Sequence, residues 1–153
     1  MAVKGVGVTE MTDVSIQIQG VPQLVHKLGK ALATDTLARA MDKARMRVQS
    51  ALQRYPSPPQ GSTYVRTGDL GRSWTSRTIV GADGVTGQLG NAVRSRRGGR
   101  AYARYVQADT SEPAPHQTQQ HTSTGWITDL QALERNRSAI ERDFNDAIDK
   151  ALS

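Results

Sequence analysis

The chain has 153 residues, 37% of them hydrophobic, no cysteine and a formal net charge of +6 at neutral pH. This length suits one domain. The lack of cysteine excludes disulfides and thiolate metal sites, and no stretch approaches the roughly 18 apolar residues of a membrane-spanning helix. The N-terminus lacks the apolar segment of a signal peptide, so we expect folding in the cytosol. The basic charge favours nucleic acid or acidic protein surfaces as partners, and a merely solvated basic surface is the alternative.

The N-terminal part of the chain predicts an arm, a strand and a long helix. Residues 1–12 contain glycine and little apolar pattern, which is typical of a flexible arm. Apolar and polar residues alternate over 14–20 and predict a half-buried strand. Over 22–55 apolar residues recur at three- and four-residue steps, which predicts one helix. Its weak points are Gly29 and residues 34–36, where we expect a kink.

A stiff connection follows this helix. Arg54–Trp74, with the sequence RYPSPPQGSTYVRTGDLGRSW, begins with three closely spaced prolines that stop the helix. Gly68 supplies turn chemistry, and we expect it in a positive-φ or crowded position. Residues 73–80 and 84–90 then predict a β-hairpin across the turn GADG.

The C-terminal part predicts two long loops and a second helix. Residues 91–100 are basic and rich in glycine, and 108–125 are polar and contain prolines, so both are predicted as loops. The short segment 101–107 between them fits either a strand or a helical turn. An amphipathic pattern over 128–152 predicts the second helix. Residues 13–153 therefore predict a single α+β domain, in which the long helix packs on a small, mostly antiparallel sheet.

Candidate active-site residues lack the patterns that catalysis or metal binding requires. His116 and His121 are five residues apart in a polar loop, unlike zinc ligands, and two solvated histidines are the favoured interpretation. Asp143, Asp146 and Asp149 recur every three residues among basic ones, which favours a solvated face over a catalytic pair. No serine lies in a nucleophile-elbow motif. We therefore expect no enzymatic activity, no bound metal and no cofactor.

A cluster of arginines is the most prominent charged feature. Five arginines fall within eleven residues: Arg94, Arg96, Arg97, Arg100 and Arg104. Arginines on a glycine-containing loop can contact phosphates. They can equally pair with carboxylates of a neighbouring subunit, and the acidic side of the second helix is a candidate partner through Glu141, Asp143, Asp146 and Asp149.

The turn that follows the prolines resembles a motif of one protein family. Its form Arg-Thr-Gly-x-Leu-x-x-Ser matches Arg66, Thr67, Gly68, Leu70 and Ser73, and a later Tyr-x-x-Tyr-Val element matches Tyr102, Tyr105 and Val106. Through these matches, the segment 14–107 resembles the tail-component family of long-tailed bacteriophages. Members of this family are also called tail-completion or neck proteins.

The resemblance implies an α+β structural protein of the virion without catalytic activity. It implies a homo-oligomeric ring, with a hexamer as one option, that joins tail to head between the phage connector or neck and the tail-tube proteins. Non-specific contact with genomic DNA is compatible with this role, membrane binding is not expected, and assembly would occur in the host cytoplasm. The alternative function is a basic nucleic-acid-binding accessory protein that uses the Arg94–Arg104 loop.

Aromatic residues near the motif are candidates for subunit contacts. Tyr55, Tyr64 and Trp74 belong to the amphipathic types that are enriched at interface hot spots. A stiff, proline-containing segment also loses little conformational entropy on docking. For Trp74, burial in the core beneath the hairpin is an equally good interpretation.

Overall fold

Two long helices and one antiparallel sheet form the fold in the structure of this protein, a computed structural model. It describes residues 3–4, 12–18, 29–58, 60–63, 67–81, 84–94, 103–107 and 121–153. In chain order the elements are β1 (Val3–Lys4), β2 (Thr12–Ile18), α1 (Lys30–Leu52), α2 (Asp69–Arg72), β3 (Trp74–Gly81), β4 (Gly84–Asn91), α3 (Ala103–Gln107) and α4 (Asp129–Leu152). The predicted α+β class, with a long helix on an antiparallel sheet and a second C-terminal helix, is confirmed.

Within the described residues the sheet has four strands in the order β1-β2-β4-β3, and every neighbouring pair is antiparallel. The predicted hairpin is confirmed, since β3 pairs with β4 from Trp74↔Asn91 to Gly81↔Gly84. The predicted strand over 14–20 corresponds to β2, which begins earlier, at Thr12.

The prediction of a flexible arm over residues 1–12 is wrong at Val3–Lys4. These two residues pair with Ile18 and Gln17 and add an edge strand to the sheet. So short a strand leaves almost no sequence pattern, because its stability comes from backbone hydrogen bonds to β2. Residues 5–11 lie outside the described residues.

Helix α1 has the predicted apolar stripe but not the predicted start. Gly29 precedes the helix with φ 75° and ψ 153°, so the chain is not helical at this residue. The prediction of a single helix over 22–55 is therefore wrong at Gly29. The helix continues through residues 34–36, the second predicted weak point. The residues that α1 buries recur at the expected spacing: Ala33, Leu37, Ala40, Met41, Ala44, Val48 and Leu52.

Helix α4 begins with a capping box and packs on α1. The Thr128 hydroxyl accepts a hydrogen bond from the Gln131 backbone N–H, and the Gln131 side chain accepts one from the Thr128 N–H. Ile140 and Phe144 are buried in the core that α1 and the sheet share. The C-terminal part of α1 lies beside the N-terminal part of α4, so the two helices run antiparallel.

The segment that fitted either a strand or a helical turn, and part of one predicted loop, are helical. Residues 103–107 form α3, which decides between the two options for 101–107. Within the predicted loop 108–125, residues 121–123 are helical and the Trp126 N–H donates to the His121 carbonyl, so the loop prediction is wrong there. Residues 95–102 and 108–120 lie outside the described residues. None of the helices in the described ranges is long and apolar enough to span a bilayer.

Candidate functional site

The motif turn is held by a short helix and a left-handed glycine. Gly68 caps α2 with φ 77° and ψ 0°, which confirms the predicted positive φ. A Cβ at this position would also lie 2.8 Å from Nη1 of Arg72. The Arg72 guanidinium donates to the Thr67 carbonyl oxygen at 2.7 Å and to Asp69 Oδ1 at 2.9 Å. These contacts fix the turn that joins the proline-rich connection to β3.

Behind this turn lies a small apolar cluster that is separate from the main core. It contains Leu70, Ala103, Val106 and Trp126, with Tyr55 packed against it. Leu70, a predicted interface candidate, is buried here and is therefore a core residue of the free chain. The cluster joins the two parts of the chain that carry the resemblance, since Leu70 belongs to the first motif and Val106 to the second.

Tyr55 ties the end of α1 to this turn. Its hydroxyl oxygen accepts a hydrogen bond from the Gly71 N–H at 2.8 Å, and its aromatic ring meets Trp126 edge-on, with centroids 4.9 Å apart. A Cβ on Gly71 would lie 2.8 Å from Cε2 of Tyr55, so this close approach requires glycine. Tyr55 is half-buried and holds the turn, which leaves only part of it for a subunit contact.

Trp74 is a core residue, which removes it from the exposed interface candidates. Its side chain is 2% exposed, and its Nε1–H donates to Gln107 Oε1 at 3.1 Å. Gln107 Nε2 in turn donates to the Leu52 carbonyl oxygen at 2.9 Å. The Trp74 carbonyl accepts from Gln49 Nε2 at 2.9 Å. This chain of hydrogen bonds joins β3 to α1 and α3.

Two buried polar residues of this region are not predicted from the sequence. They are Gln107 and Asn91, which are 0% and 2% exposed. Asn91 Nδ2 donates to the Leu70 carbonyl at 2.8 Å, and its Oδ1 accepts from the Val93 N–H at 3.0 Å. Asn91 therefore fixes the motif turn to the end of β4. In the sequence, Asn91 lies at the start of a predicted loop, where asparagine is common. Nothing in the sequence therefore indicates that its side chain is buried and bonds to the motif turn.

The remaining sequence candidates are only partly described. Thr67 is exposed and its hydroxyl donates to Asp69 Oδ2 at 2.8 Å, while Ser73 and Tyr105 are half-buried. Tyr64, Arg66 and Tyr102 lie outside the described residues, as do Arg96, Arg97 and Arg100. Arg94 is exposed just after β4, and Arg104 belongs to α3. The structure thus places one end of the arginine cluster three residues after the end of β4 and the other end in α3.

Part of the acidic side of α4 already forms an ion pair within the chain. Both Asp143 carboxylate oxygens accept from Arg47 of α1, Oδ2 from Nε at 2.7 Å and Oδ1 from Nη2 at 3.2 Å. Hydrogen bonding to Arg47 lowers the pKa of the Asp143 carboxyl below its ordinary value. Asp143 is therefore a poorer partner for the arginine cluster of another subunit than predicted, whereas Asp146 and Asp149 are exposed.

We expect Asp143→Asn to remove part of the acid sensitivity of the fold. Because the folded-state pKa of Asp143 is lowered, its ion pair stabilises the protein above the ordinary aspartate pKa of about 3.9. This stabilisation is lost as pH falls through the lowered pKa. The wild-type advantage in free energy of unfolding over Asp143→Asn should shrink when urea titrations move from neutral pH to below about pH 4. Asp149→Asn, an exposed change on the same helix, is the control, and equal pH profiles for the two variants would contradict the assignment.

Strand β3 forms an edge of the described sheet. Its residues Trp74, Ser76 and Thr78 turn toward α1, whereas Ile79 and Val80 are 37% and 53% exposed. Among the described strands, β3 has a neighbour on one side only, β4. An exposed edge strand with apolar residues is a surface on which another chain can add a strand.

A polar network fixes this edge strand to α1. Arg45 donates from Nη1 to Ser76 Oγ at 2.6 Å and from Nε to Asp42 Oδ1 at 2.9 Å. Thr78 Oγ1 donates to the same Asp42 oxygen at 2.7 Å. The hydrogen bonds from Thr78 and Arg45 lower the Asp42 pKa. Side chains of α1 thus hold β3 in place from one face, while its outer edge stays free of described strands.

Among the residues that the structure describes, no three His, Asp or Glu side chains come together in a group that could hold a metal ion. His121 lies beside Trp126, with centroids 6.4 Å apart, and burial lowers its pKa. This describes a histidine packed against an aromatic ring, in place of the solvated histidine predicted at this position.

No family model, no curated protein and no solved structure matches this chain. The similarity to phage tail-completion proteins therefore stays a prediction from the motif residues.

Proposed function

We propose that this protein is a structural subunit of a tailed-phage virion that completes the tail and joins it to the head as part of a ring. The observation that carries the proposal is the outer edge of β3, which pairs with no other described strand and has Ile79 and Val80 exposed. The motif resemblance around Gly68 and Tyr105 supports the same role. Such a protein acts by shape and surface complementarity, so its function is located at the contacts between subunits.

The position of β3 suits a contact between identical subunits. A strand of eight residues offers a row of backbone donors and acceptors along its outer edge. The network from Asp42 and Arg45 holds the strand rigid, so little conformational entropy is lost when a neighbour docks. If the surface that meets this edge lies elsewhere on the next copy, the contact is head-to-tail. Repeated head-to-tail contacts form a ring when the rotation from copy to copy closes, and an open filament when it does not.

A double variant at this edge tests the proposal. We expect negative-stain images of the wild-type protein to show rings, and we expect light scattering to give the mass of the corresponding oligomer. Ile79→Lys with Val80→Lys should weaken assembly at least about tenfold, equivalent to about 1.4 kcal/mol. Two lysines on an edge strand oppose pairing with another chain, and at exposed positions they should leave the fold intact.

The control is Met46→Lys, because Met46 is 60% exposed on α1 and its replacement adds a lysine away from the edge. Rings that persist in the β3 variant would show that another surface carries assembly. A wild-type protein that stays monomeric and binds DNA through the Arg94–Arg104 loop would favour the alternative function, a nucleic-acid-binding accessory protein.

A further inference from the structure

A concave groove lies where the end of α1 meets the start of α4. Its volume is about 370 Å³, and its basic lining residues are Arg47, Arg54 and Arg135. The other described lining residues are Ala51, Tyr55, Pro56, Gly125, Ile127 and Asn136, and none of them carries a carboxylate. It is distinct from the arginine cluster at 94–104, because its basic residues come from α1, from the turn after it and from α4.

Two of these arginines have guanidinium groups with no partner among the described residues. Arg54 and Arg135 are exposed, and neither side chain makes a hydrogen bond or ion pair there. Four other arginines each pair with an acidic residue three or four positions away: Arg39, Arg45, Arg72 and Arg137. The third groove arginine, Arg47, pairs with Asp143 but keeps 45% of its side chain exposed. The groove thus contains two arginines, Arg54 and Arg135, whose charge no described residue neutralises.

The apolar walls of the groove strengthen the electric field of these arginines. Tyr55, Pro56 and Ile127 provide apolar surface next to the guanidinium groups, and a cleft with low-dielectric walls concentrates the field of its charges. Gly125 has φ 91°, and a Cβ there would lie 3.1 Å from Cβ of Pro56. A larger residue at 125 would therefore press on the wall that the proline forms.

We propose that this groove binds phosphate groups of a nucleic-acid backbone without reading its sequence. A single carboxylate can be satisfied by one bidentate guanidinium. Arg54, from the turn after α1, and Arg135, from α4, have no partner among the described residues, and two such arginines suit a ligand with repeated anionic groups, such as a polynucleotide. The net charge of +6 attracts such a polyanion from a distance. The groove belongs to the single chain, so the inference does not depend on the proposed ring.

The test is DNA binding by the whole protein in a salt series. We would measure fluorescence anisotropy with a labelled duplex of arbitrary sequence between about 50 and 200 mM salt. Each lost phosphate contact reduces the slope of log affinity against log salt by about 0.9. The double variant Arg54→Gln with Arg135→Gln should therefore flatten the slope by about 1.8. A second duplex of unrelated sequence should give the same values, because phosphate contacts carry no sequence information.

The matched control is Arg39→Gln with Arg142→Gln, which removes the same charge from α1 and α4 outside the groove. The salt slope of this control should change by less than half as much as that of the groove variant. Circular dichroism should show that both double variants fold. Equal losses in the two variants would show that bulk charge is responsible and would overturn the site. Wild-type protein that does not bind the duplex at the lowest salt would overturn it too. So would a groove variant that keeps its DNA affinity while losing affinity for a glutamate-rich peptide, since the partner would then be an acidic protein.

Discussion

Replacing Trp74 by alanine should lower the free energy of unfolding by about 3–5 kcal/mol, the usual cost of removing a large buried aromatic side chain. Trp74 is 2% exposed and belongs to the core that α1, α4 and the sheet share. The substitution also leaves Gln107 Oε1 without the donor that Trp74 provides at 3.1 Å. Both the cavity and the unsatisfied acceptor therefore contribute. Urea titration followed by circular dichroism measures the effect. Tryptophan fluorescence is unsuitable as the readout, because the change removes one of the two tryptophans and alters the fluorescence itself.

The variant Trp74→Phe separates packing from hydrogen bonding. It keeps most of the buried aromatic area but removes the indole donor, so we expect a smaller loss of about 1–3 kcal/mol for the unpaired acceptor of Gln107. Leu152→Ala is the control, since Leu152 is 46% exposed and should cost little. If Trp74→Ala were no less stable than this control, Trp74 would not be a core residue, and its alternative role in a subunit contact would regain support.

The helices and the hairpin are predictable because their signals are local. The apolar stripe of α1 recurs at three- and four-residue steps, and the described helix buries residues at the same steps, among them Leu37, Met41, Ala44, Val48 and Leu52. The hairpin pairs across a short turn between Gly81 and Gly84, which the sequence marks with glycine and aspartate. Gly29 is marked as a weak point too, but a glycine in a helical pattern does not distinguish a kink from a helix start.

The polar contacts of the candidate site could not be predicted, because their partners are distant in the chain. Asn91 bonds to a residue 21 positions away, and Gln107 to one 55 positions away. The groove has the same origin, since Arg54 and Arg135 come together only after α1 and α4 pack. Periodicity predicts that such helices exist and which sides they bury, but it does not predict which ends meet.

The motif turn illustrates how a functional resemblance and a folding requirement coincide. Leu70 and Tyr55 are interface candidates in the sequence, yet the structure uses both to attach the turn to the second apolar cluster. Gly68 and Gly71 permit two close approaches within the same turn. The motif therefore positions β3, and in the proposed assembly its contribution would be indirect, through the orientation of this edge strand.

Gly68→Val should lower the free energy of unfolding by about 1–3 kcal/mol, the range for a residue held in a sparsely populated backbone region. Gly68 has φ 77°, which a β-branched residue adopts only as an outlier. The added side chain would also meet the Arg72 guanidinium at 2.8 Å. That guanidinium is the end of a flexible side chain and can move away, at the loss of its hydrogen bond to the Thr67 carbonyl. The backbone conformation therefore accounts for most of the expected loss, and thermal or urea unfolding measures it.

Two companion variants decide whether the conformation of Gly68 is the cause. Gly68→Asn should cost less than Gly68→Val, because asparagine tolerates the left-handed region better than any β-branched residue does. Gly81→Val should cost little, since Gly81 is exposed at the end of β3, has no positive φ, and an added Cβ there would make only an ordinary contact at 3.8 Å. Equal stability of Gly68→Val and Gly81→Val would mean that the turn relaxes without strain. The order Gly81→Val, Gly68→Asn, Gly68→Val in increasing loss would instead show that the left-handed glycine holds the motif turn, and with it the start of the edge strand.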